Sequence, residues 1–255
     1  MQVSICCLTY NHEKFIRQTL DGFLMQKNVA SEILINDDAS TDQTPGILRE
    51  YAAKYPEITG AVFQPENIFT KTGQYPNLAE ILYSRAEGKY IALCDGDDFW
   101  TDPYKLQKQV EFMDQHPECV MCHHDYLILE NGKYREPDSE RPRDFTQEEL
   151  IGFSLAGYGI GTCTKMFRNL YNEHKEDFEA FYCDYPLNVL MGTLGECKYV
   201  PGIEPSVYRR EHGGSWSGMD PKERHKRTMT MFARVYELIE AKSNPQWTEL
   251  RRRFL

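Results

Sequence analysis

The feature that most constrains this chain is an apolar run that ends in a cluster of carboxylates. Residues 90–94 have the composition of a buried strand, and Asp95, Asp97 and Asp98 follow directly. Carboxylates this close raise one another's pKa and repel, so a divalent cation is their natural counterion. Oxygen ligands at a strand end suit Mg²⁺ or Mn²⁺, which bind one or two carboxylates together with substrate phosphates. An acidic turn that caps the next helix would explain the same residues without a metal.

Strand and helix patterns alternate through the first half of the chain. Short apolar runs typical of buried strands occupy residues 3–8, 33–35, 61–63 and 90–94. Apolar residues at helical spacing fall between them and again after the last run. This βαβαβαβ order predicts an α/β fold, with a mostly parallel sheet and helices on both faces.

Three of the four strand runs end in polar residues. Thr9 and Tyr10 follow the first run, Asp37 and Asp38 follow the second, and residues 95–98 follow the fourth. Ligands of parallel sheets bind at the carboxyl ends of the strands. We therefore expect these side chains to converge on one crevice.

The second half of the chain is less regular. A strand-like run over residues 119–129 meets Asn131-Gly132, a hairpin signal. Thr146 and Glu149 have the spacing of a capping box at the start of a short helix. No internal repeat or low-complexity linker separates the halves, so one continuous domain is expected.

Charge is unevenly distributed along the chain. The net charge is −10, but residues 220–255 carry nine Lys/Arg and five Asp/Glu, which leaves −14 for residues 1–219. An acidic body argues against nucleic acid as the main partner. It also means that an anionic substrate would need a cation beside it.

Composition indicates a reducing compartment. The eight cysteines are scattered, several lie in apolar runs, and no secretory signal precedes the first strand. No stretch approaches the roughly 20 apolar residues of a membrane span. We expect a cytoplasmic protein, with association at the inner face of the membrane as an alternative. The basic run 251–253 would suit anionic headgroups, although such runs are more often solvated helix ends.

Five sequence blocks together resemble a known family. They read VSICCLTYN (3–11), INDDASTD (35–42), DGDDFW (95–100), DYPL (184–187) and YRREHGGSWS (208–217). In this order they resemble the family 2 glycosyltransferases of GT-A fold, over roughly residues 2–217. The resemblance implies a Rossmann-like nucleotide-sugar half over about 1–115 and an irregular acceptor half over about 116–217. Residues 218–255 would form a helical, basic extension.

The resemblance implies a metal-dependent, inverting transfer of a sugar from a nucleoside diphosphate donor, with UDP favoured. The acceptor would be a hydroxyl of a glycan or lipid-linked saccharide, in surface polysaccharide synthesis. On the donor side, Asp38 would accept a hydrogen bond from the nucleobase ring N–H. Thr9 and Tyr10 would line the base and ribose pocket, and Asp95 and Asp97 would also contact the donor.

The same resemblance assigns the metal and the base. Asp98 would hold Mn²⁺ or Mg²⁺ on the diphosphate, and Asp184 would be the general base. His212 is a further candidate metal ligand, but the family pattern often runs Tyr-Arg-x-His, and Glu211 occupies that His position here. One metal-binding acidic cluster and one distant carboxylate is the minimum set for this chemistry.

Several of these residues have plainer explanations. Asp184 precedes an apolar helix and could be its N-cap. Trp100 and Trp216 could be core residues, although aromatic faces also stack on sugar rings, which favours an acceptor or sugar contact.

Cys119 and Cys122 have the spacing of half a zinc site, beside His123 and His124. Strand alternation would point the two cysteines to opposite faces, which argues against zinc.

Two other functions remain open. A sugar-1-phosphate nucleotidyltransferase would share the sheet and the metal, but it should carry a glycine-rich, basic loop after the first strand. Residues 9–14 contain no glycine. A non-catalytic nucleotide- or sugar-binding module would need no separate general base.

Overall fold

The structure is a computed structural model. It describes residues 1–72, 77–137, 143–155, 159–180, 184–210 and 219–241.

A seven-stranded sheet forms the centre of the fold. From edge to edge its strands are β3 (Ile58–Phe63), β2 (Ser31–Asp37), β1 (Val3–Thr9), β4 (Tyr90–Leu93), β8 (Met166–Arg168), β5 (Cys119–His123) and β9 (Glu196–Tyr199). All neighbouring pairs are parallel except those of β8, which is antiparallel to both β4 and β5. The expected mostly parallel sheet is confirmed.

Helices pack on both faces of this sheet. They are α1 (Ile16–Leu24), α2 (Thr44–Lys54), α3 (Ile68–Thr72), α4 (Leu78–Ile81), α5 (Lys105–Gln115), α6 (Gln147–Leu155), α7 (Lys175–Ala180), α8 (Asp184–Leu194) and α9 (Pro221–Ala241). Side chains of β1 alternate between two hydrophobic layers: Val3, Ile5 and Cys7 pack with α1, α2 and α5, whereas Cys6 packs on the face that α6, α7 and α8 cover. Burial on both faces explains why these strands read as continuous apolar runs.

The run 119–129 is divided between two sheets. β5 ends at His123, and β6 (Tyr126–Glu130) joins a second sheet in which β10 (Ser206–Arg209) and β7 (Lys133–Arg135) flank it. The predicted hairpin is confirmed, because Asn131 and Gly132 connect β6 to antiparallel β7 with positive φ angles of 51° and 70°. Two positive φ values match the twist of a tight hairpin.

Two further sequence predictions concern the start of α6 and membrane-spanning helices. The capping box is confirmed, since the Glu149 carboxylate accepts from the Thr146 N–H at 2.9 Å and the Thr146 hydroxyl accepts from the Glu149 N–H at 3.3 Å. Across the described ranges, no helix combines the length and apolar composition needed to cross a bilayer.

Candidate active site

The carboxyl ends of β1, β2 and β4 meet at one edge of the sheet. Thr9 lies opposite Asp37 in the β1–β2 register, and the Asp38 N–H donates to the Thr9 carbonyl at 3.0 Å. On the other side of β1, the Gly96 N–H donates to the Leu8 carbonyl at 2.8 Å. The three polar clusters therefore adjoin, as their positions after parallel strands predict.

The acidic loop is held tightly against β1 and α1. A Cβ at Gly96 would lie 2.6 Å from the Thr9 hydroxyl oxygen, so only glycine permits this approach. The Thr19 hydroxyl contacts the carbonyls of Gly96 at 3.0 Å and Asp98 at 2.6 Å. These contacts fix the direction in which the loop carboxylates project.

Arg209 at the end of β10 secures the same loop from the opposite side. Its backbone N–H donates to Asp98 Oδ1 at 2.9 Å, and its Nη1 donates to the Asp97 carbonyl at 2.6 Å. The guanidinium also lies over the rings of Phe15 and Phe99. Arg209 belongs to one of the five sequence blocks. Its contact with Asp98, 111 positions earlier, depends on the pairing of the second sheet, and no local sequence pattern predicts it.

The electrostatics of the loop favour a cation. Burial, followed by the charges of nearby carboxylates, raises the pKa of both Asp95 and Asp98 well above the usual carboxyl value. Lys165 and Arg209 oppose this effect on Asp95 and Asp98 respectively. No complete group of three His, Cys, Asp or Glu ligands forms within the described ranges. The donor set fits an ion that takes one or two protein carboxylates and completes its shell with phosphate oxygens.

His12 also lies at this edge, although the sequence patterns did not single it out. Its Nδ1 lies 3.1 Å from the Thr9 hydroxyl oxygen, and its Nε2 lies 3.7 Å from Asp97 Oδ2. Protonation of His12 would place a cation beside Asp97. The short spacing between Thr9 and His12 was the available signal.

Asp184 is the first residue of α8. Its Oδ1 accepts hydrogen bonds from the Thr162 hydroxyl at 2.8 Å and from Lys165 Nζ at 3.2 Å. Its charge contributes to the raised pKa of Asp95, which places the two carboxylates within electrostatic reach across 89 positions of sequence. Among the described residues its carboxylate accepts no backbone N–H of α8, so the contacts do not support a simple helix cap.

A cavity of about 700 Å³ opens beside the ends of β1, β2 and β3. Tyr10, Asp37, Arg49 and Phe63 contribute to its wall. The Arg49 guanidinium carbon lies 4.4 Å from the centre of the Phe63 ring, and Asp37 is held by the Ser40 hydroxyl at 2.5 Å. The cavity thus offers both aromatic surface and fixed polar groups at the expected nucleotide side of the crevice.

Asp38 is buried at this edge and ties the loop after β3 to β2. Its carboxylate accepts from the backbone N–H groups of Ile68 at 2.8 Å and Phe69 at 3.3 Å. The Asn67 amide donates to its backbone carbonyl at 2.9 Å. Asp38 therefore organises the start of α3.

Trp100 is a core residue, which corrects its expected contact with a sugar. Its side chain is 2% exposed, its Nε1 donates to the Cys163 carbonyl at 2.8 Å, and its ring lies 4.8 Å from that of Phe23. Lys105 Nζ lies 4.1 Å from the centre of the ring. The indole is enclosed by these groups because α1 and α5 pack over the turn that carries it. His212 and Trp216, together with Glu211, lie outside the described residues.

The segment around Cys119 and Cys122 also departs from expectation. An irregularity in the β5–β9 register places both cysteines in the hydrophobic layer of α1, α2 and α5, rather than on opposite faces. Cys122 contacts the Gln109 amide at 3.5 Å, and His123 Nε2 lies 2.9 Å from the Arg143 carbonyl. Burial lowers the pKa of His123 to about 4. His123 and His124 are buried rather than lining a crevice.

Lys105 yields a stability prediction. Its side chain is fully buried, its Nζ donates to Gln109 Oε1 at 2.7 Å, and burial lowers its pKa to about 8. The unfolded chain keeps this lysine protonated up to about pH 10.4. The folded state therefore binds fewer protons between about pH 8 and 10.4, and stability from this group rises with pH across that window.

Lys105→Met should therefore stabilise the fold most at pH 7, where the buried charge costs on the order of 3 kcal/mol. Loss of the Gln109 hydrogen bond and the Trp100 contact offsets part of this gain at every pH. The informative quantity is therefore how the difference in unfolding free energy between variant and wild type changes with pH. Chemical denaturation of both proteins at pH 7, 9 and 10 measures it. A difference in unfolding free energy that stays constant with pH would contradict the assignment.

Comparison with known proteins identifies the family. The profile of glycosyl transferase family 2 matches residues 4–175, which span β1 to the start of α7 and include the acidic loop. The chain belongs to glycosyl transferase family 2. The resemblance of the five sequence blocks is thereby confirmed at the level of the family.

Relatives extend the match beyond the profile. An uncharacterized protein of Mycobacterium tuberculosis is 39% identical over 221 residues, which cover 84% of this chain and 60% of the relative. The putative teichuronic acid biosynthesis glycosyltransferase TuaG of Bacillus subtilis is 31% identical over 156 residues, 61% of this chain and 59% of TuaG. The chain thus spans about 60% of the length of each of these two relatives.

Solved structures share the fold. Staphylococcus aureus TarS 1–349 in complex with UDP-GlcNAc superposes with a TM-score of 0.71 at 18% identity, covering 98% of this chain and 69% of TarS. The mannosyltransferase PcManGT of Pyrobaculum calidifontis, solved with GDP-Man and Mn²⁺, gives 0.60 at 16% identity, covering 98% and 79%. The GT-A expectation for the fold is confirmed by these neighbours.

Proposed function

We propose that this protein is a metal-dependent, inverting glycosyltransferase that moves a sugar from a nucleoside diphosphate donor, with UDP favoured, to a hydroxyl acceptor. The observation that carries the proposal is the electrostatic interaction of Asp184 with Asp95 of the acidic loop in a family 2 chain. A nucleotidyltransferase or a binding module does not require this second, separate carboxylate.

The donor is proposed to lie along the edge formed by β1, β2 and β4. The cavity beside Tyr10 and Asp37 is large enough for a nucleobase and ribose. From there the diphosphate would extend toward Asp95, Asp97 and Asp98. Two solved neighbours contain nucleotide sugars, one with UDP and one with GDP, so the fold accommodates either base class.

Asp98 and one neighbouring loop carboxylate are the proposed ligands of Mn²⁺ or Mg²⁺. When bound, such an ion supplies Lewis-acid stabilisation of the charge that develops on the departing diphosphate. Arg209 would keep the Asp98 carboxylate in place through its backbone N–H, and Thr19 would hold the loop backbone.

Asp184 is the proposed general base. It would accept the proton of the acceptor hydroxyl as the hydroxyl oxygen bonds to the anomeric carbon, while the bond from that carbon to the diphosphate oxygen breaks. Attack on the face opposite the leaving group inverts the anomeric centre. The exposed fraction of the Asp184 side chain, 53%, supports access by an acceptor.

Three partly buried tyrosines support a saccharide acceptor. The rings of Tyr126 and Tyr208 meet edge-on at 6.5 Å, and charges of the acidic loop contribute to the raised pKa of Tyr208. Tyr185 follows the proposed base directly. We propose these rings as the acceptor wall, since aromatic side chains with a polar tip suit a sugar that is apolar on one face and wet on the other. The acceptor would be a glycan or lipid-linked saccharide of a surface polysaccharide.

Association with the inner face of a membrane is part of the proposal for a lipid-linked acceptor. Lys222, His225 and Lys226 are exposed on α9, in a chain that is otherwise acidic. Basic residues of this kind attract anionic headgroups. Co-sedimentation with phosphatidylglycerol vesicles, compared with phosphatidylcholine vesicles, tests this contact.

The function is tested by nucleotide binding and donor turnover. Calorimetry of UDP with Mn²⁺ and with chelator should show metal-dependent affinity, and a panel of nucleotide sugars that starts with UDP-GlcNAc should reveal donor hydrolysis. Turnover of one donor, with release of its nucleoside diphosphate, supports the proposal. Formation of a nucleotide sugar from a sugar phosphate and nucleoside triphosphate would instead identify a nucleotidyltransferase.

Asp38→Ala should weaken UDP binding by about 1–3 kcal/mol, the range for hydrogen bonds to a charged group. The same change releases the N–H groups of Ile68 and Phe69, so part of the loss would come from the cavity wall. The wild-type protein gives the sharper comparison, because cytosine carries no proton at ring N3 and CDP should bind more weakly than UDP. Equal calorimetric affinities for the two nucleotides would refute the base contact.

A further inference from the structure

Lys165 is a fully buried cation at the floor of the crevice. It lies between the short turn Thr162–Thr164 and β8, and its side chain has no exposed surface. Its backbone carbonyl accepts from the N–H of Leu93, the last residue of β4, at 3.2 Å. The strand that delivers the acidic loop therefore also fixes the position of this lysine.

The ammonium of Lys165 is directed at the proposed base. Its Nζ lies 3.2 Å from Asp184 Oδ1, and the Thr162 hydroxyl donates to the same oxygen at 2.8 Å. Two donors from one short segment thus bind one carboxylate oxygen. Within the described ranges, Oδ2 receives no hydrogen bond, so this arrangement leaves Oδ2 to take a proton.

The surrounding charges explain why such a cation is needed. Repulsion from Asp184 contributes, after burial and the charge of Asp97, to the raised pKa of Asp95. Lys165 acts on both, since its charge also opposes the raised pKa of Asp95. Among the described residues, Tyr185 follows Asp184 directly, and its pKa is raised by burial and by the charge of Asp184.

A buried ammonium is expensive unless it is paired, because its desolvation costs several kcal/mol. Among the described residues, Lys165 is paired with the proposed base, and its charge also acts on Asp95. A neutral residue would fill the same space without this cost, so we infer that the charge serves to interact with the neighbouring carboxylates.

We propose that Lys165 is a positioning residue for Asp184: it anchors Oδ1, places a positive charge beside the carboxylate, and turns Oδ2 toward the acceptor hydroxyl. This inference rests on the proposed function of Asp184 as base. Lys165 itself touches neither donor nor acceptor, since it is fully enclosed.

Lys165→Met is the primary test, with UDP-GlcNAc hydrolysis in Mn²⁺ as the first assay and the donor that the panel identifies as the second. We expect kcat to fall by about tenfold or more, while the Kd for UDP stays within about twofold. The acidic limb of the rate–pH profile should move to higher pH by about one unit, because ionised Asp184 loses a nearby cation. Lys165→Arg, which keeps the charge, should restore the position of that limb at least in part.

Lys105→Met is the matched control. Lys105 is equally buried, but it pairs with Gln109 and lies under Trp100, away from Asp184. In the Lys105→Met variant, the acidic limb of the rate–pH profile should stay at its wild-type position. The proposal is overturned if Lys165→Met retains both the wild-type rate and the wild-type position of the acidic limb. It is also overturned if both methionine variants shift the acidic limb equally.

A double-mutant cycle separates this proposal from the proposed function. Lys165→Met, Asp184→Asn and the double variant are compared in unfolding free energy, without any substrate. Non-additive losses are expected, because the two side chains contact each other. Additive losses of unfolding free energy would overturn the pairing of Lys165 with Asp184, even if the enzyme is active. Non-additive losses in a protein that turns over no donor would support the pairing but refute the proposed function.

Discussion

Replacing Asp184 by asparagine should lower the rate of sugar transfer by about 10²–10⁴-fold, the usual contribution of a positioned general base. Asparagine keeps the size of the side chain and can still accept the hydrogen bonds of Thr162 and Lys165. It cannot accept the proton of the acceptor. Donor affinity should change little, because the substitution lies on the acceptor side of the crevice.

The same substitution should lower stability modestly. It leaves the Lys165 ammonium without its directly bonded carboxylate, and buried charges are costly when unpaired. Since Asp184 is half exposed and solvent screens it, we expect a loss of only about 1–2 kcal/mol. A melting curve beside the transfer assay separates this effect from loss of the base.

Asp220→Asn provides the matched control for Asp184→Asn. Asp220 caps α9 by accepting the N–H groups of Lys222 and Glu223, and asparagine caps helices as well as aspartate does. This variant should keep wild-type activity and stability. Turnover of Asp184→Asn within a few-fold of wild type would exclude Asp184 as the base and make Glu211 the next carboxylate to test.

Asp98→Ala should abolish the dependence of UDP binding on Mn²⁺ or Mg²⁺. Loss of one charged ligand at about 1.5–3 kcal/mol corresponds to roughly a 10–100-fold weaker Kd in the presence of the metal. The variant also removes the acceptor of the Arg209 N–H, which ties β10 to the acidic loop. Calorimetry with UDP, in Mn²⁺ and in chelator, measures both affinities.

Asp114→Ala controls for the loss of a carboxylate near the same strand. Asp114 contacts the Tyr90 hydroxyl at 2.7 Å, at the start of β4, whereas Asp98 follows the end of that strand. Its removal should leave metal-dependent UDP binding unchanged. Wild-type UDP affinity that is equal with and without chelator would rule out the proposed metal site.

The proposed donor edge could be predicted from the sequence because each part of it follows a strand directly. Thr9, Asp38 and the acidic loop need only a parallel arrangement of β1, β2 and β4 to meet, and apolar runs separated by helical patterns indicate that arrangement. Family resemblance then supplied the distant Asp184. Both inferences depend on local pattern and order along the chain.

The supporting residues could not be predicted in this way. Lys165 and Arg209 reach the crevice through β8 and β10, whose short strands carry weak periodic signals and pair out of chain order. Trp100 was misjudged because it follows the acidic loop directly, whereas its ring is buried against Phe23 of α1 and Lys105 of α5. The irregular β5–β9 register likewise placed Cys119 and Cys122 on one face, where regular alternation predicts opposite faces.

The insertion of antiparallel β8 between β4 and β5 has a consequence for biosynthesis. β4 ends at Leu93, but its partner on that side begins only at Met166, so the ribosome must add about 70 residues before the pairing can form. At roughly 5–20 residues per second, an apolar strand edge waits several seconds for its neighbour. Such an edge can pair with other nascent chains. We therefore expect the yield of folded protein to depend on early shielding of the β4 edge by chaperones or by the emerging chain.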